Sequence, residues 1–213
     1  MQTYKKDFID LALRERVLSF GEFKLKSGRV SPYFFNAGMI SSGSALAQVG
    51  CAYAAAIRSS ANEFDMLFGP AYKGIPLVVS TALAYNRLYG KDMAFAYNRK
   101  ETKTHGEGGQ LVGAPLAGRV LIVDDVMTAG TAVREVIQLI QASGAELAGV
   151  VVGLDRQERG QDGFSAIQEI ERDFDAPVIG IITLDDLLQY LSTNAEYGEQ
   201  MSKIAAYRDR YGV

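Results

Sequence analysis

Two adjacent carboxylates, Asp124 and Asp125, directly follow the apolar run Val120–Val123, and Thr128, Gly130 and Thr131 come shortly after them. Like charges side by side repel, so the pair requires a cation or hydroxyl donors nearby. Ribose hydroxyls would serve, and so would magnesium, which prefers oxygen ligands and keeps much of its water. The residues that follow suit the start of a helix, where unpaired backbone N–H groups favour an anion. Thr128 and Thr131 add hydroxyl donors, and Gly130 lets the backbone approach a phosphate closely. Each hydrogen bond to such a charged group contributes roughly 1.5–3 kcal/mol. Diol acceptors come first and a monophosphate cup second, an order that suits a ribose 5-phosphate. Read on these residues alone, the stretch could also be a strand end followed by a threonine-capped helix, the weaker of the two readings. The Gly-Lys-Ser/Thr ending of a Walker loop and the G-x-G-x-x-G of dinucleotide folds are both missing.

Two further segments break the apolar rhythm of the chain. Gly69–Gly74 (GPAYKG) is a short glycine-bounded turn. Arg99–Gly109 (RKETKTHGEGG) has no apolar residue and carries Arg99, Lys100, Glu101 and Lys103 close together. A loop of that composition is a lid, a binding loop or a solvated excursion. It holds the sole histidine, His105, and one histidine makes no metal site. The sole cysteine, Cys51, sits among small apolar residues and reads as a core residue.

These segments need a scaffold. Tyr4–Leu18 has helix-compatible apolar spacing. Phe20–Asn36 changes to a period of two around the turn Ser27-Gly28-Arg29, which reads as a hairpin. Ser41–Ser60 is expected to be a serine-capped helix. Strands at Phe64–Phe68, Met93–Tyr97, Val120–Val123, Leu147–Leu154 and Val178–Ile182 then alternate with helices at Ile75–Leu88, about Thr131–Ala142 and Phe164–Phe174; the chain after Leu184 reads as helical. Continuous apolar strands alternating with helices imply an open, mainly parallel α/β sheet flanked by helices. The opening helix and hairpin would form a small hood over it. One domain, residues 1–213, is expected, with the hood in about 1–40 and a lid at about 99–109.

The composition excludes several classes. The chain is 48% hydrophobic and 22% charged, which is globular. A net charge of -3 shows no basic excess for coating a duplex. No run approaches a membrane span of about 18 apolar residues, and Met1–Asp10 lacks the apolar core of a signal peptide. With one thiol and no possible internal disulfide, a reducing, cytoplasmic setting is expected.

The run VLIVDDVMTAGTA resembles the phosphoribosyl pyrophosphate signature of the type I phosphoribosyltransferases: an apolar strand, paired acidic residues, then T-[AG]-G-T. The hairpin with Lys26 and Phe34-Phe35, the FGPAYKGI turn and the RKETKTHGEGG loop resemble the bacterial orotate phosphoribosyltransferases, and the likeness covers essentially the whole chain. The resemblance implies that family's fold and a set of roles. Asp124 and Asp125 take the ribose hydroxyls, and Val126, Met127, Thr128, Ala129, Gly130, Thr131 and Ala132 complete the loop around the 5-phosphate. Tyr72 and Lys73 face the diphosphate, in a turn where the family often carries a non-proline cis peptide. Arg99, Lys100, Lys103 and His105 belong to a mobile lid that reaches into a partner subunit's site. His105 would serve as a diphosphate donor or as a general acid. Phe34 and Phe35 border the orotate ring, Arg156 pairs with its carboxylate, and Lys26 and Thr128 lie near donor and base.

General chemistry agrees with part of this. A leaving diphosphate needs cations, and a mobile loop can deliver them while excluding water. A guanidinium fork suits a carboxylate bidentately, although Arg156 could instead make a surface ion pair with Asp155 or Glu158. The implied reaction joins orotate to phosphoribosyl pyrophosphate, releasing diphosphate and forming orotidine 5-phosphate on the route to UMP. Lys100, Lys103, His105, Asp124 and Asp125 would be the catalytic residues. Magnesium would be held mainly by substrate and water, near Asp124 and Asp125, and the enzyme would be a homodimer with shared sites. Transfer to a purine or uracil is one alternative. A phosphoribosyl-pyrophosphate-sensing regulator that binds nucleic acid is another.

Overall fold

Helix α1 (Thr3–Arg14) leads into a hairpin of β1 (Leu18–Lys24) and β2 (Val30–Phe35), and α2 (Gly43–Ser59) follows. The computed structural model describes residues 1–25, 27–103, 109–127, 130–160 and 162–213, with backbone alone for 102, 103 and 109. α1 stops short of the expected Leu18. Arg16 adopts a left-handed φ of 58°, which ends the helix, and Leu18 is buried as the first strand residue instead. The apolar stripe of α1, Phe8, Ile9, Leu11 and Ala12, is buried. α2 starts as its serines suggested, the Ser42 hydroxyl accepting from Ala45 N at 3.2 Å. It lies so close to the helix beyond that a Cβ on Gly50 would stand 2.4 Å from the carbonyl oxygen of Ser80.

The sheet is built from β3 (Met66–Gly69), β4 (Ala94–Lys103), β5 (Gly109–Gly113), β6 (Arg119–Val126), β7 (Glu146–Asp155) and β8 (Val178–Thr183). Between and after them lie α3 (Gly74–Tyr89), α4 (Thr131–Ala142), α5 (Ala166–Phe174), α6 (Leu184–Ser192) and α7 (Gly198–Tyr211). The strand order is β5-β4-β3-β6-β7-β8, parallel throughout except for the antiparallel edge pair β4–β5. Alternate residues of the central strands feed two cores. Leu67, Leu121, Val123, Val151 and Ile181 pack with the hood and α2, α3, α6 and α7. Met66, Phe68, Val120, Ile122, Val150 and Val152 pack under α4 and α5. Burial on both faces explains why these strands read as unbroken apolar runs.

Two expectations need correction. Arg99–Lys103 is not loop but the end of β4, and Gly109 opens β5; a ladder is made of backbone groups, so charged side chains do not exclude an edge hairpin. Residues 104–108 of the expected lid lie outside the described residues. The second correction concerns β6, which runs on to Val126 rather than ending at Val123, so Asp124 and Asp125 lie within the strand and not just beyond it. No helix among the described residues is long and apolar enough to cross a membrane.

From β3 the chain moves to β4 on one side, then returns to β6 on the other and proceeds outward through β7 and β8. β3 and β6 therefore flank the point where the winding reverses. In open α/β sheets the crevice for a ligand lies beyond the carboxyl ends of such a pair.

Candidate active site

Four helices begin beyond the carboxyl ends of sheet strands, and their starts differ. α5 and α6 carry complete capping boxes, Ser165 with Gln168 and Thr183 with Asp186, which satisfy their first N–H groups. α3 and α4 start at Lys73 and Gly130 without a side-chain cap among the described residues. These two follow β3 and β6, so the switch point presents two uncapped helix N-termini. Unsatisfied N–H groups and the positive end of each dipole make it favourable ground for phosphate groups. Gly130 has φ 67°, which costs glycine little and turns the chain into α4. Thr131 and Ala132 stand exposed in the first turn. Thr128 and Ala129, like Lys26 and His105, lie outside the described residues.

Between the two helix starts sit the carboxylates. Asp125 is buried; its Oδ1 accepts from Val126 N at 2.9 Å, and its Oδ2 meets Lys73 Nζ at 2.7 Å. The cation that the acidic pair required is thus supplied in part by the turn after β3. Asp124 Oδ1 accepts from Asp125 N at 2.9 Å, and its other oxygen has no partner among the described residues. Burial, then the neighbouring Asp125 charge, pushes the Asp124 carboxyl up to about 7, against the opposing pull of the Asp125 N–H and Lys73. Beneath them the buried Tyr53 hydroxyl donates to the Asp124 carbonyl at 2.7 Å.

The turn itself is closely built. Its Ala71-Tyr72 peptide is cis. Ala71 N donates to Asn98 Oδ1 at 2.9 Å, which ties the turn to β4. A Cβ on Gly74 would lie 2.6 Å from Pro70 Cδ and 2.9 Å from the Val123 carbonyl oxygen, so only glycine fits between the ends of β3 and β6. Tyr72 is exposed, and Lys100 Nζ rests 5.2 Å from the centre of its ring within the same chain. Arg99 has a buried Nη1 with no hydrogen-bond partner among the described residues. Lys103 is placed on β4 by its backbone alone. Val126 and Met127 are packed into the cores rather than turned to solvent, so they shape the loop by their backbone.

At the hood, the structure separates the two phenylalanines. Successive strand residues face opposite ways. Phe35 is buried with Tyr33 and Ser31 on the inward face, whereas Phe34 is 40% exposed and stacks on Phe23 with ring centres 5.3 Å apart. Phe35 therefore shares the inward face of β2 with Ser31 and Tyr33, beside Arg156, and Phe34 lies on the opposite, open face. Arg156, at the end of β7, is 7% exposed. Its guanidinium lies 4.3 Å from the Tyr33 ring centre. Nε donates to Glu158 Oε1 at 2.8 Å, and Nη2 donates to the same oxygen and to Ser31 Oγ at 3.1 Å. The arginine does pair with Glu158, as the bland reading had it, but in a buried setting and not at the surface. Asn98 and Tyr53 carried no sequence signal, because their roles exist only through contacts between distant elements.

The chain belongs to the phosphoribosyl transferase domain family, whose model matches residues 36–180. It is 62% identical to the orotate phosphoribosyltransferase of Saccharophagus degradans, over 213 residues and the full length of both chains. The orotate phosphoribosyltransferase of Pseudomonas aeruginosa is 57% identical, again over the full length of both. Among solved structures, the orotate phosphoribosyltransferase of Francisella tularensis superposes with a TM-score of 0.86 at 43% identity, covering 97% of this chain and 99% of that one. The fold is therefore the type I phosphoribosyltransferase fold expected from the sequence.

Proposed function

We infer that this chain is an orotate phosphoribosyltransferase, which joins orotate to phosphoribosyl pyrophosphate and releases diphosphate with orotidine 5-phosphate. The observation that carries the reading is the switch point: two uncapped helix N-termini flank a buried acidic pair that is partnered from one side by Lys73. A ligand with anionic groups at both ends and hydroxyls between them matches that layout. The full-length likeness to orotate phosphoribosyltransferases names the base.

In this reading the start of α4, with Thr128, Gly130, Thr131 and Ala132, holds the 5-phosphate, and Asp124 and Asp125 accept from the ribose hydroxyls. The start of α3, with Tyr72 and Lys73, receives the diphosphate, joined by Arg99, Lys100, Lys103 and His105. Breaking the anomeric C–O bond develops positive charge on the ribose and negative charge on the leaving diphosphate. Positioning and electrostatics then supply the catalysis, and no covalent nucleophile is needed. Arg156 receives the orotate carboxylate, with Lys26, Thr128, Phe34 and Phe35 around the ring.

Magnesium fits as a partner of the substrate. No cluster of three or more His, Cys, Asp or Glu among the described residues could enclose an ion. Asp124, with one oxygen unengaged among the described residues, suits an ion whose other ligands are diphosphate and water. When bound, such an ion neutralises charge on the leaving diphosphate. We also place two copies of the chain in the active enzyme. The outer side of α3 exposes Leu83 (67%) and Leu88 (47%), apolar surface suited to a second copy. A cytoplasmic setting fits the single thiol. Orotate-dependent consumption of phosphoribosyl pyrophosphate, with and without magnesium, tests the reading; turnover with a purine or uracil and none with orotate would overturn it.

A further inference from the structure

Arg156 is the one residue assigned to the orotate carboxylate, and its surroundings are unusually organised. One edge of its guanidinium, Nε with Nη2, is fastened to Oε1 of Glu158, the flat face lies over Tyr33, and Ser31 accepts a further bond from Nη2. The side chain is 7% exposed and Glu158 15%. Glu158 has a second cation beyond it, Arg29, whose Nη1 stands 3.9 Å from Oε2. Arg29 is itself anchored, donating to the Arg159 carbonyl at 2.8 Å and lying 4.8 Å from the Tyr211 ring centre. Among the described residues, two guanidinium groups thus share one carboxylate. Among the described residues the cluster so holds two cations against one carboxylate, and the substrate's single carboxylate would balance the second.

We propose that Glu158 is the positioning residue for substrate recognition: by holding the Nε edge of Arg156 it leaves the Nη1 side to receive the orotate carboxylate. This rests on the reading of Arg156 given above. A long arginine side chain loses much rotamer freedom when it binds a ligand. Fixing it beforehand removes that cost at the binding step, and so Glu158 acts on affinity for orotate rather than on the chemistry at the anomeric carbon. The bridge between Glu158 and Gly212 ties the same segment to the chain's last residues, so α7 closes the cluster from outside.

Steady-state kinetics of full-length variants tests this, with melting curves to confirm folding. Glu158→Ala is expected to raise KM for orotate about tenfold while kcat and KM for phosphoribosyl pyrophosphate stay within about twofold. Adding Glu158→Ala to Arg156→Ala should cost little more, because the first residue acts through the second. If Glu158→Ala does not fold, Gln and Asp replacements carry the test. Gln keeps the acceptor in reach and should bind orotate nearly normally, whereas Asp keeps the charge but falls short and should bind weakly. The opposite ranking would show that charge alone matters and would overturn the proposal. A normal orotate KM in Glu158→Ala, with a raised one in Arg156→Ala, would also overturn it and leave the base site standing. A normal KM in Arg156→Ala would instead remove the base-site reading itself.

Discussion

Replacing Asp125 by asparagine keeps the side chain's shape and removes one charge, so its consequences for folding and for turnover can be separated. The Asn amide oxygen can still accept from Val126 N, as Oδ1 does now at 2.9 Å. What is lost is the ion pair with Lys73, whose side chain is 47% exposed and can turn to water. A pair screened to that degree contributes no more than about 1 kcal/mol. For a domain of this size that is roughly 2–4 °C in Tm. A charge-assisted bond to a ribose hydroxyl, in contrast, contributes about 1.5–3 kcal/mol. Its loss should lower kcat/KM for phosphoribosyl pyrophosphate about 10- to 150-fold. The pH profile should move as well. Asp124 is pushed up to about 7 by burial first and by the Asp125 charge second, and its ionised form is the stronger acceptor for the ribose. Removing the second cause should shift the acid limb of kcat/KM, which reports the free enzyme, to lower pH. Thermal melting and a diphosphate-release assay across pH check all three. Kinetics within about threefold of the native enzyme would take Asp125 out of ribose binding, and a Tm collapse of more than about 10 °C would make it a structural residue.

The raised Asp124 carboxyl also bears on stability. Because the fold favours its protonated form, the contribution is fully present below the ordinary carboxylate range and lost as pH rises through about 7. Asp124→Asn should therefore melt higher than the native chain at about pH 8, with the gap narrowing toward about pH 4, and should be nearly inactive; a gap that ignores pH would contradict this. Gly74→Ala forces a Cβ to within 2.6 Å of Pro70 Cδ and 2.9 Å of the Val123 carbonyl. Such overpacking costs about 1–3 kcal/mol, and a melting point equal to that of the native chain would show that the turn is not rigid. Mixing Lys100→Ala with Arg156→Ala, each crippled alone, should restore partial activity if the two residues serve one site from different subunits. Absence of rescue would point to Lys100 acting where it is seen, on its own chain's Tyr72.

Periodicity alone was enough for the sheet's central strands, because side chains buried on both faces leave an unbroken apolar signature in Val120–Val123 and Leu147–Leu154. The serine cap of α2, the span of α4 and the hairpin turn were legible for the same kind of local reason. Chemistry was legible where one short segment holds all of it: Asp124, Asp125 and the residues up to Ala132 are contiguous. β5 and the outer half of β4 were not legible, since an edge hairpin is held by backbone bonds that charged side chains neither make nor break. Only the tertiary structure brought Lys73 to Asp125, Asn98 to Ala71, and Glu158 between Arg156 and Arg29. It also divided Phe34 from Phe35, a one-residue alternation that depends on which face of β2 the core covers. Local sequence determines which groups a segment can offer; the partner each group meets is decided by elements far apart in the chain, through packing that no single segment contains.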